Sequence, residues 1–83
     1  MNVYIYPAGA LPGAVHLAVG TLGQQLANSF AVTIAGGAGA LAAGQNYVLA
    51  VGAPLQNNDQ HQNGYPTNGQ LMNIAGNVYT FIV

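Results

Sequence analysis

The chain has 83 residues, no Lys, no Arg, no Cys and a single carboxylate side chain, Asp59, so charged residues make up 1% of it. Ordinary soluble domains carry roughly a quarter. Binding nucleic acid by phosphate neutralisation has no cation to use beyond His16 and His61. A zinc ribbon or disulfide scaffold has no Cys. Acid–base catalysis with paired carboxylates, or with a Lys or Arg clamp, lacks its residues.

Residues 2–6 (NVYIY) alternate, with Val3 and Ile5 on one face and Tyr4 and Tyr6 on the other, and Pro7 ends the run. Period-2 alternation predicts a strand here. A second strand is predicted over residues 14–21, with Val15, Leu17 and Val19 inward. A third covers residues 29–36, with Phe30, Val32 and Ile34 inward, and a fourth covers 46–52, with Tyr47, Leu49 and Val51 together. Residues 70–75 are a weaker candidate. Residues 77–83 close the chain, with Val78, Thr80 and Ile82 opposite Tyr79, Phe81 and Val83.

The connections carry turn chemistry. Gly76-Asn77 suits a tight hairpin. Several runs end at glycine (Gly20, Gly36, Gly52), which reads as turn punctuation. Residues 23–28 (GQQLAN) read as a polar connection with room for a short helix. Residues 38–43 could make one helical turn, against the cost of the flanking glycines. The segment 53–69 is rich in Asn, Gln, Gly and Pro and predicts a long polar loop. The expected architecture is a single all-β domain, residues 1–83. It is a small sandwich or barrel-like fold of five to six mostly antiparallel strands.

Candidate chemistry is sparse. Asp59 and His61 lie two apart and would share a face on extended chain; with His16 they make a two-His, one-carboxylate set. No spacing motif supports it, so solvated loop residues are the reading, with no metal and no cofactor. Ser29 is the only serine, without a G-x-S-x-G around it, and a Ser29–His16–Asp59 triad has no motif behind it. The chain therefore reads as no enzyme.

What remains is association. A chain this short buries only about 60–65% of its unfolded surface and is marginal without added support. Near-zero net charge removes the repulsion that keeps small domains apart. Edge strands without Lys or other charges would leave edges open to pairing, and Tyr4, Tyr6, Tyr79, Phe81 and Val83 are the interface candidates, as aromatic residues are enriched at interface cores.

The function expected is a structural self-assembling subunit in contact with copies of itself and with other subunits. The leading setting is a virion, as a capsid decoration (cement) protein or small coat protein. A surface filament is one alternative. A neutral carbohydrate-binding module, contacting glycan through the amides of residues 53–69, is the other. Residues 1–10 lack a basic leader region and the longest weakly polar window, residues 30–44, holds four glycines, so neither a secretory leader nor a membrane span is expected.

Overall fold

The computed structural model describes residues 1–57 and 63–83. Six strands account for the regular structure of these residues: β1 (Asn2–Pro7), β2 (Ala18–Gln25), β3 (Ser29–Thr33), β4 (Asn46–Val51), β5 (Pro66–Ala75) and β6 (Val78–Ile82). Every pairing is antiparallel, and the order β1-β2-β3-β6-β5-β4 closes on itself as a barrel. Strands β1 to β3 are consecutive neighbours and β4 returns to lie beside β1, which is a Greek-key path. β5 and β6 then fill the gap between β4 and β3. The expected small all-β fold is observed, in its barrel form. The segments 23–28 and 38–43 form strand and turns, not helix.

Closure corrects the argument from edges. A closed barrel has no unpaired strand edge. The missing Lys and charge on β1 and β6 reflect strands paired on both sides, not edges kept open for pairing.

The barrel interior holds Val3, Ile5, Val32, Ile34, Leu41, Tyr47, Leu49, Leu71, Tyr79 and Phe81. Fully burying a large apolar side chain contributes about 1.5–3 kcal/mol. Tyr47 and Phe81 meet edge to face, centroids 6.2 Å apart at 89°, the favoured arrangement of two quadrupoles. Space inside six strands is short, and two glycines make room. A Cβ on Gly20 would lie 2.6 Å from Val32 Cγ1 and 2.7 Å from the Thr33 carbonyl oxygen. One on Gly69 would lie 3.0 Å from Leu49 Cδ1.

That crowding explains two departures from the expected strands. Gly20 is not a turn but an interior position of β2, which starts at Ala18 and runs on through the polar Gln24 and Gln25. The small residue goes inward, so Val15, Leu17 and Val19 are exposed instead of inward. The second departure is β5, which begins at Pro66, so the polar connection stops at Tyr65 instead of reaching Gly69. Proline is tolerated as a strand's first residue, and Gly69 and Leu71 face the core while Asn68 and Gln70 face out. The Gly76-Asn77 hairpin forms as expected. Gly76 has φ +61° and Asn77 does not have positive φ, the type II′ pattern.

A second, smaller core covers the outer face of β1 and β4. Tyr6, Val48, Ala50 and Leu55 are buried there, with Tyr4 and Ala10 against them. The start of the β4–β5 connection lies over this face, and its Leu55 amide donates to the Tyr6 hydroxyl at 2.8 Å.

Candidate functional site

The closed barrel leaves three surfaces to consider: one mouth, the outward strand faces, and a depression beside β4 and β5. The mouth is plugged. β3 and β4 stand three places apart in a ring of six, so residues 34–45 must cross one barrel end. Leu41 drops into the core from this crossing. Two interior tyrosines hold it: the Ala38 amide donates to the Tyr79 hydroxyl at 2.6 Å and the Ala42 amide to the Tyr47 hydroxyl at 2.9 Å.

The five interface candidates separate. Phe81 is fully buried, and Tyr79 and Tyr6 are 4% and 2% exposed. The structure thus turns Tyr79 and Phe81 into the barrel's own core and tucks Tyr6 beneath Leu55, because inward alternation on β6 falls on its aromatics. Their outward position in the expected scheme is corrected. Tyr4 is half-buried, beside His16 with ring centroids 5.7 Å apart. Val83 is exposed.

What faces out instead is aliphatic. Val15, Leu17 and Val19 form one exposed strip along the approach to β2 and its first residues, with Tyr4 paired opposite Val19. Met72 on β5 and Val78 and Ile82 on β6 form a second. In the ring order β1 is opposite β6 and β2 is opposite β5. The two strips therefore lie on opposite sides of the barrel.

The depression has a volume of about 360 Å³ and is lined by Ala8, Asn46, Tyr47, Asn68, Gly69, Gln70 and Ile82. Asn46 pairs directly with Gln70 across β4 and β5, and Gln70 with Ile82 across β5 and β6. Asn68 shares the outer face two residues before Gln70. Gln70 Nε2 donates to the Gly44 carbonyl at 3.1 Å. Of the amides expected to contact glycan, Asn68 stands in this depression. Asn46 and Gln70 were not singled out by sequence reasoning. Strand alternation alone puts them on the surface but does not say that pairing joins them.

Elsewhere the candidate chemistry does not converge. His16 sits edge-on to Tyr4 and Tyr6 near one end of the barrel, while Ser29 opens β3 opposite Ile82 towards the other. Asp59 and His61 lie outside the described residues. No group of three or more His, Cys, Asp or Glu comes together among the described residues, and none of their helices is long and apolar enough to cross a membrane.

The class defined here is a small, closed, six-stranded antiparallel Greek-key barrel on a chain without Lys or Arg. Comparison with protein families, curated proteins and solved structures found no match to the chain.

Proposed function

We propose that this chain is a structural subunit that associates with copies of itself, each subunit binding the next through opposite faces. The observation that carries the reading is the opposition of the two exposed aliphatic strips, β1/β2 against β5/β6, on a chain without Lys or Arg. Contiguous apolar surface marks contact sites. Two different patches on opposite sides favour head-to-tail contact, which closes into rings or extends into filaments and lattices. The settings that suit such a subunit are a virion, as decoration or small coat protein, and, as the alternative, a surface filament.

The test uses two single variants, Leu17→Lys on one strip and Val78→Lys on the other. Light scattering after size exclusion should find the parent chain in large assemblies and each variant as a monomer. Mixed in equal amounts, the variants should form a dimer, because each retains the face the other lacks. A monomeric parent chain, or variants that both still assemble, would defeat the reading. Electron microscopy of the assembly separates lattice from filament.

A further inference from the structure

We infer that the depression between β4, β5 and Ile82 is a binding site for a neutral saccharide. Ile82 is the one lining residue that the depression shares with the β5/β6 strip. Asn46 and Gln70 are directly paired, and Asn68, paired with Val48, lies two residues before Gln70 on the same outward face. Directly paired residues have Cβ atoms about 4.5–5.5 Å apart, and residues two apart on a strand share a face, so the three amides can act on one ligand together. Each amide offers both a donor and an acceptor. A sugar hydroxyl is likewise both, so a row of amides matches a row of hydroxyls without a proton changing hands.

The other features narrow the ligand. Gln70 is held by its bond to the Gly44 carbonyl, which directs the rest of its amide group and lowers the ordering cost on binding. Ile82 and Ala8 supply apolar walls for the C–H surface of a pyranose ring. The volume, about 360 Å³, falls within the range of roughly 300–1,000 Å³ typical of small-molecule sites. No Lys, Arg, Asp or Glu lines it. A sulfated or uronic sugar would find no counter-charge there, so the lining favours neutral sugars. The site rests on paired residues of β4 and β5.

Saturation-transfer difference NMR suits the chain in whatever assembly it forms, because it reads the ligand. The probes are neutral hexasaccharides of α-glucose, β-glucose, mannose and N-acetylglucosamine, together with the uncharged peptide acetyl-Asn-Gln-Asn-amide. At least one hexasaccharide should give saturable transfer. Its affinity should fall about 3–10-fold in Asn68→Ala and in Gln70→Ala, the loss expected for one hydrogen bond. Asn57→Ala, on the β4–β5 connection, should leave it unchanged. Asn46→Ala replaces either strand variant if that variant loses its β circular dichroism. The inference fails if no hexasaccharide binds. It also fails if binding survives the strand substitutions, if Asn57→Ala is the variant that weakens it, or if only the peptide binds. The last result would make the depression a protein contact.

Discussion

The hydroxyl of Tyr79 accepts a hydrogen bond from the Ala38 amide at 2.6 Å, across 41 residues of sequence. The same pattern recurs where Tyr47 accepts from Ala42 and Tyr6 from Leu55. Each tyrosine ring is buried and each hydroxyl satisfies a backbone donor of a connection. Tyrosine does this because its apolar ring fills a core while its polar end needs a partner. Three long side chains thus hold Ala38, Ala42 and Leu55, all outside the strands.

Tyr79→Phe should therefore loosen the plug without disturbing the ring packing. It deprives the part-buried Ala38 amide of its acceptor, at a cost of about 1–3 kcal/mol. The measurement is the urea midpoint together with amide hydrogen exchange at Ala38. An unchanged midpoint and unchanged exchange would show that Leu41 and the Ala42–Tyr47 bond hold the crossing without Tyr79.

Tyr6→Phe should act separately, because Tyr6 belongs to the outer core and Tyr79 to the barrel core. Distant sites add to within about 0.3–0.5 kcal/mol. The double variant Tyr6→Phe, Tyr79→Phe should accordingly lose the sum of the two single losses. Strong non-additivity in a urea series would mean that the two cores behave as one.

Gly20→Ala and Gly39→Ala make a contrasting pair. At Gly20 the added methyl meets Val32, Ile34 and the Thr33 carbonyl at 2.6–2.9 Å, and overpacking of this kind costs about 1–3 kcal/mol. Gly39 has nothing within 4 Å of its Cβ position and no positive φ. There alanine should be neutral or stabilise by about 0.4–1 kcal/mol through the unfolded chain. Thermal melts of both variants check the sign of each change.

Phe81→Ala should destabilise the barrel itself by about 3–5 kcal/mol, since the ring is fully buried among the subunit's own residues. The loss should appear in the subunit's circular dichroism, not only in its association. Native β signal with failed assembly would place Phe81 at a contact instead.

Salt should barely weaken the proposed assembly, because the chain holds almost no charges to screen. Sulfate should strengthen it by favouring burial. Scattering across a sodium chloride series is the check, and dissociation at high salt would contradict the apolar contacts of Leu17 and Val78.

Composition and alternation alone determined the fold class, the absence of charge chemistry and most strand positions. Val3 and Ile5, Val32 and Ile34, and Tyr47 and Leu49 all face the core as their spacing requires. The Gly76-Asn77 hairpin was equally legible, because a two-residue turn is a local property. Tertiary structure decided the rest. Alternation separates two faces of a strand but does not say which is inside. On β2 the crowded interior took Gly20 and put Val19 outside, while on β6 the interior is filled by Tyr79 and Phe81 and Val78 and Ile82 face out. Pro66 and Gly69 disguised the start of β5 because their types are depleted in strands. Closure into a ring, which removed the edges and set the aliphatic strips on opposite sides, depends on β1 meeting β4 and β3 meeting β6. Those are pairings between segments distant in sequence, and no local signal along the chain encodes them.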